Sequence, residues 1–223
     1  KSLWSARSAV RSCRTERPCT ATPKPCFVAR TVVRGVRADL LMMVGELRAQ
    51  LVAAGVRLAS VGLVRGSEGN LSARIDREKC LVTPTGSVTG RLGAGELLVM
   101  PIDGSDTPER VTSEAELHLE LYRRRPEVMA IVHAHPPMVL RLAEGGQIPD
   151  EHPLEEGERV FGQVVDVEHF EEGSLELAGA VATALSNTSA CVLRDHGAVT
   201  VGTDVEQALR RMLFLERAAV RMD

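Results

Sequence analysis

The sequence predicts an α/β domain, and two observations predict it. Apolar residues recur at helical spacing in several segments, and between those segments lie short apolar or alternating runs bounded by Gly, Pro, Asn and Asp. That alternation is the pattern of a sheet covered by helices. The first helical stripe is Leu40, Leu41, Val44, Leu47, Leu51, Ala54 and Val56, ending at the glycine-containing stretch before Leu63. A hairpin follows: Asn70 to Ile75 alternates, Asp76-Arg77-Glu78-Lys79 can turn, and Cys80-Leu81-Val82-Thr83 can return. A second helix is expected from Ser113, where Ser113-Glu114-Ala115-Glu116 has capping-box form, to the stop at Pro126. Two more are expected, Leu175 to Leu185 and Asp204 to about Arg221; a second capping box, Thr203 to Glu206, opens the last.

Composition bounds the function. A chain of 223 residues with 44% hydrophobic residues and a net charge of −3 is long enough for one substantial core. It carries no basic patch that would call for nucleic acid, and no apolar run approaches the roughly 18 residues that would span a bilayer. One Trp and one Tyr are too few for base-stacking platforms, and any tyrosine chemistry falls to Tyr122. The cysteines, Cys13, Cys19, Cys26, Cys80 and Cys191, match neither a disulfide framework nor a zinc ribbon, so a reducing, cytoplasmic compartment is expected. Residues 1–36 differ from the rest: six arginines against one acid, Glu16, with three prolines and no apolar period. They read as a disordered extension, an organellar transit peptide, or sequence upstream of a true start at Met42 or Met43. The folded domain is then expected over residues 37–223.

The chemistry begins at Val132-His133-Ala134-His135-Pro136-Pro137. This follows the apolar run Met129 to Val132, and side chains at i and i+2 of a strand share a face, so His133 and His135 can converge on one point. A lone pair of this kind is more often solvated than ligated. A second apolar run, Cys191-Val192-Leu193, leads through Arg194-Asp195 to His196, followed by a glycine that admits close backbone approach. Three neutral imidazoles with an open position are a recurring composition for catalytic zinc. Glu114, in the first turn of its helix, could add a carboxylate as a fourth ligand or as a base beside the metal. Three donor-rich segments accompany these: Gly66 to Asn70, Thr83 to Gly86, and Thr112-Ser113. Glycine-turn N–H groups, hydroxyls and a helix start are what a phosphate dianion binds, although turns and caps use the same residues.

Taken in order, GSEGNLS, LVTPTG, TSEAELH, VHAHPP and RDHGAVTVG resemble the class II aldolase/adducin family from about Met43 onward. The resemblance implies a central, largely antiparallel sheet flanked by helices. It implies Zn2+ or another divalent ion on His133, His135 and His196, with Glu114 as an acid/base that can also touch the metal. A substrate phosphate would lie against Gly69, Asn70, Thr85, Gly86, Thr112 and Ser113, and a homotetramer would place active sites at subunit boundaries. The implied activity is a lyase that cleaves a carbon–carbon bond through an enediolate, on a small, phosphorylated hydroxy-carbonyl or sugar substrate. Epimerase, dehydratase and decarboxylase activities share the scaffold, and a non-catalytic adducin-like interaction domain is the alternative of another class. One departure stands out. Aldolases of the family place a proton-donating tyrosine after the second metal histidine, and His152-Pro153-Leu154-Glu155-Glu156-Gly157 has none; Glu155 or Glu156 falls near that position.

Overall fold

The computed structural model describes residues 27–148 and 160–222, with side chains from residue 39 onward. The chain forms two units, Lys1–Ala38 and Asp39–Asp223, and the second is the subject below. Helix α1 (Phe27–Ser60) opens the described chain and starts before the predicted boundary at residue 37. A hairpin of β1 (Asn70–Arg74) and β2 (Lys79–Val82) follows, then β3 (Leu98–Pro101), α2 (Ala115–Arg124), β4 (Ala130–Ala134) and α3 (Pro137–Glu144). The chain continues through β5 (Val164–Val167), α4 (Leu175–Ala184), β6 (Ala190–Leu193), β7 (Gly197–Gly202) and α5 (Val205–Met222).

Among the described residues the strands form one sheet in the order β3-β2-β1-β4-β7-β6-β5. Every neighbouring pair is antiparallel except β5 with β6. A parallel pair needs a crossover, and α4 supplies it. This is the largely antiparallel, helix-flanked sheet that the family resemblance implies.

Strand alternation divides the core. Leu71, Ala73, Ala130, Val132, Ala134 and Ala198 face a cluster made with Leu51, Ala54 and Leu58 of α1 and with Met212 and Leu215 of α5. Ile131, Cys191, Val199 and Val201 face the opposite cluster, with Leu117 and Leu121 of α2 and Leu177 and Val181 of α4. Each fully buried Leu or Val contributes roughly 1.5–3 kcal/mol of transfer free energy, so both faces are held mainly by this burial. The predicted stripe of α1 is only partly right. Leu51 and Ala54 are buried, whereas Leu41 is 66% exposed and Leu58, outside the predicted set, completes the face.

Both predicted capping boxes are corrected. Helix α2 starts at Ala115, with Glu114 in the N-cap position and no side-chain cap bond. Ser113 is exposed, and Glu116 pairs with Arg123 at 3.2 Å instead of reaching back. The Glu114 carboxylate is bound to Asn70 and faces His133, which holds that residue just outside the helix. In α5 the box lies one residue later: Asp204 Oδ1 accepts from the Gln207 N–H at 2.7 Å, and Gln207 Oε1 accepts from the Thr203 N–H at 2.9 Å.

Candidate active site

The site grows from a match between a strand and a helix. Alternate residues of β1 are about 6.6 Å apart and every fourth residue of a helix about 6 Å, so i, i+2, i+4 on one can face i, i+4, i+8 on the other. Asn70, Ser72 and Arg74 point toward α2; Glu114, His118 and Tyr122 point back. Asn70 Nδ2 donates to Glu114 Oε2 at 2.7 Å, and Asn70 Oδ1 lies 2.5 Å from His118 Nε2. His118 Nδ1 lies 2.7 Å from Ser72 Oγ, which lies 2.8 Å from the Tyr122 hydroxyl. The Arg74 guanidinium donates to the Tyr122 carbonyl and packs 4.6 Å over the Tyr122 ring.

Register carries this face on to the histidines. Asn70 of β1 is directly opposite His133 of β4, and His133 is opposite Val199 of β7. His135 follows the end of β4, its N–H donating to the Leu63 carbonyl at 2.9 Å. His196 sits in the β6–β7 hairpin turn. The Leu193–Gly197 pair leaves Arg194, Asp195 and His196 as the loop, with Asp195 at φ 58°, a conformation that Asp tolerates better than most residues.

The predicted imidazoles come together. One ligand nitrogen from each of His133, His135 and His196 lies within 4.8 Å of the others. His133 Nδ1 donates to the Ala198 carbonyl at 3.1 Å, which leaves Nε2 as the lone-pair atom. That Nε2 lies 3.2 Å from His135 Nε2 and 3.1 Å from Glu114 Oε2. Glu114 Oε1 is 3.5 Å from His196 Nε2, and both Glu114 Oε1 and His196 Nδ1 are buried without a hydrogen bond. Burial holds the His133 pKa well below the ordinary imidazole value, and the neighbouring His196 and His135 push it the same way. His135 is lowered too, first by burial and then by His196, against Glu68, Glu114 and Glu172. Imidazole nitrogens and a carboxyl group converging with few donors between them form a site suited to a cation.

The donor-rich segments also converge. The Thr83 N–H donates to the Leu71 carbonyl, the Thr85 N–H to the Arg110 carbonyl at 2.8 Å, and Pro84 bridges Val111 just before Thr112. Thr85, Gly86 and Ser113 are exposed, while Thr112 and Asn70 are buried. Gly69 adopts φ 67° and leaves no room for a side chain, because a Cβ there would meet the His133 carbonyl at 2.7 Å. Beside these segments Gly86, Arg91, Glu96 and Arg110 line a cleft of about 420 Å³, where two arginines stand against one glutamate. Glu155 and Glu156 lie outside the described residues.

Sequence reasoning missed two groups. Ser72 and His118 close the GSEGNLS and TSEAELH stretches with no role assigned to them, and His118 and Tyr122 continue the face of Glu114 at i+4 and i+8. Glu172, 3.7 Å from His196 Nε2, lies in a loop that carries no motif, and Glu68, 3.9 Å from His135 Nδ1, stands inside GSEGNLS, where only the glycines and Asn70 drew a role. The thiols of Cys80 and Cys191 are buried and pushed up to about 12, which removes them as nucleophiles.

A mostly antiparallel sheet bearing three imidazoles and a helix-start carboxylate at one end defines a candidate metal-site enzyme fold. The chain belongs to the Class II Aldolase and Adducin N-terminal domain family, whose signature it matches over residues 49–221. It is 35% identical over 158 residues to an L-fuculose phosphate aldolase of Methanocaldococcus jannaschii, covering 70% of this chain and 84% of that protein. To a 3-oxo-tetronate 4-phosphate decarboxylase of Haemophilus influenzae it is 31% identical over 166 residues, covering 71% and 78%. The crystal structure of L-fuculose-1-phosphate aldolase from Thermus thermophilus superposes with a TM-score of 0.71 at 32% identity, covering 79% of this chain and 92% of that one.

Proposed function

We propose that this protein is a metal-dependent lyase that cleaves the bond between the α and β carbons of a small phosphorylated β-hydroxy-carbonyl compound, leaving an enediolate and an aldehyde. The observation that carries the reading is the approach of His133 Nε2 to both His135 Nε2 and Glu114 Oε2, with Glu114 Oε1 left unbonded. His133, His135 and His196 would hold Zn2+ or another divalent ion, with Glu114 at its edge. When bound there, such an ion supplies Lewis acidity to adjacent carbonyl and hydroxyl oxygens of a substrate. Glu114 takes and returns the proton, since its Oε2 is fixed by Asn70 while Oε1 is free. The Gly69 backbone, Thr85, Gly86, Thr112 and Ser113 receive the phosphate. The Asn70 side chain, which the resemblance places at the phosphate, is already engaged with Glu114 and His118, and its remaining amide hydrogen is its only spare donor. Glu155 is the candidate for a second acid/base. The expected setting is cytoplasmic and the expected assembly a homotetramer.

Decarboxylation is a second reading, supported by the Haemophilus influenzae relative. Both readings are tested by stripping the protein with a chelator, restoring single divalent metals, and assaying L-fuculose 1-phosphate and 3-oxo-tetronate 4-phosphate beside their dephosphorylated forms. Metal-restored turnover of a phosphorylated compound, with aldehyde or carbon dioxide released, is the expected result. Turnover unaffected by chelation, or equal on dephosphorylated forms, would overturn the reading.

A further inference from the structure

The buried chain behind Glu114 has a direction that its chemistry fixes. The Asn70 amide N–H2 donates to the carboxyl oxygen Glu114 Oε2, which accepts at 2.7 Å, and Asn70 Oδ1 faces His118. An amide oxygen only accepts. His118 Nε2, at 2.5 Å, therefore carries the hydrogen. His118 is fully buried and stays neutral, its pKa lowered to about 4 by burial against the opposing pull of Glu114. Its Nδ1 is then a lone pair that accepts from the Ser72 hydroxyl at 2.7 Å. With its hydrogen committed, Ser72 Oγ accepts from the Tyr122 hydroxyl at 2.8 Å. Every donor points the same way: Tyr122 to Ser72, Ser72 to His118, His118 to Asn70, Asn70 to Glu114.

We propose that His118 is a positioning residue, which locks Asn70 so that its amide always donates to Glu114 and so holds one carboxylate oxygen fixed with the other open. Without His118 nothing holds the Asn70 oxygen, and a flipped amide would set that oxygen against Glu114 Oε2. Hydrogen bonds aligned in one direction polarise one another, so the chain strengthens the Asn70 donation that fixes Glu114 Oε2. Ser72 and His118 are fully buried, and Tyr122 is 1% exposed, so no solvent competes for these bonds.

The inference rests on Glu114 carrying the proton in the proposed reaction, and one arm of its test does not. Long-range proton–nitrogen NMR of the full chain, labelled at histidine, reads the His118 tautomer directly at pH 7. A neutral ring with hydrogen on Nε2 is expected; hydrogen on Nδ1 alone would make Nε2 an acceptor, turn the Asn70 amide around and overturn the proposal whatever the activity. The second arm compares His118→Phe with His118→Gln, whose amide N–H can replace the Nε2 donor. Outer hydrogen-bond partners of reacting groups are typically worth 10–100-fold, so His118→Phe should lower kcat by roughly 10-fold or more. KM for the phosphorylated substrate should stay within about twofold and metal content unchanged, because no substrate or metal contact is removed. His118→Gln should recover most of kcat. A merely structural His118 would change melting temperature without this split; unchanged kcat in His118→Phe, or no recovery in His118→Gln, would overturn the proposal. Should the wild type turn over none of the phosphorylated compounds, the proposed function fails, and the tautomer still decides the chain.

Discussion

Gly197 lies so close to His133 that a methyl group on its Cα would stand 2.8 Å from the imidazole Cε1. The same methyl would meet the Ala134 carbonyl at 2.6 Å and His135 Cδ2 at 2.9 Å. Gly197 pairs with Leu193 at the base of the hairpin that presents His196, so the turn carrying His196 is packed directly against the other two candidate ligands. A backbone oxygen cannot move aside cheaply. Gly197→Ala is therefore expected to cost about 1–3 kcal/mol through overpacking and to reduce metal content, because the imidazoles must part. Thermal melting and metal analysis of the variant check this; a variant with wild-type melting and full metal content would show that the hairpin has slack.

The buried imidazoles make stability depend on pH in a stated direction. His118 binds its proton with a pKa of about 4 in the folded protein, against an ordinary value of 6.5. A depressed folded value means that the unfolded chain binds more protons between these limits. The contribution is thus fully present above about 6.5 and lost as pH falls toward about 4. For a fully buried group that difference amounts to about 3 kcal/mol. His133 and His135 are lowered as well and add to the same trend. Denaturant unfolding with chelator present, at pH 7.5 and pH 4.5, should give a larger loss for the wild type than for His118→Gln. Equal losses would assign the dependence to other groups.

Periodicity and motif order made much of this architecture readable. The β1–β2 hairpin, α2, α4 and α5 fall within a few residues of their expected places because each has a clean period bounded by Gly, Pro or a polar turn. The unforeseen elements lack that contrast. β7, Gly197–Gly202, is buried along its whole length, so no polar alternation marks it. α3 is short, and its start at Pro137, next to Pro136, reads equally well as a loop. Within the site, His133, His135, His196 and Glu114 were legible from spacing and family resemblance. His118 was not, since its role depends on α2 crossing β1 in a register that no local pattern specifies.

Glu114→Gln should separate chemistry from structure. The substitution keeps an oxygen to accept from Asn70 and the same volume at a position 5% exposed, so the fold is expected to survive. The proton acceptor is lost, and turnover is expected to fall on the order of 10²-fold or more. Steady-state kinetics beside circular dichroism test the pair of expectations. A retained rate would move the proton transfer elsewhere, with Glu172, 3.7 Å from His196, the nearest carboxylate to examine.

The phosphate segments are best tested away from Asn70. Asn70→Asp would place a second carboxylate where the amide donates to Glu114 at 2.7 Å, and two carboxylates that close cannot both ionise. Its damage should therefore fall alike on phosphorylated and dephosphorylated substrates, which makes it a probe of Glu114 and a poor probe of phosphate. Thr85 and Ser113 are exposed, carry hydroxyls and lie outside the Glu114 chain, so Thr85→Ala and Ser113→Ala remove only donors. A hydrogen bond to a charged group is worth about 1.5–3 kcal/mol, or roughly tenfold and more in affinity. Each variant is expected to raise KM for the phosphorylated substrate by about that factor, with kcat and metal content close to wild type. Arg110→Ala, in the adjoining cleft, should add to the effect if the dianion also feels that charge. Equal KM changes on the dephosphorylated analogue would mean that these segments shape the pocket without reading the phosphate.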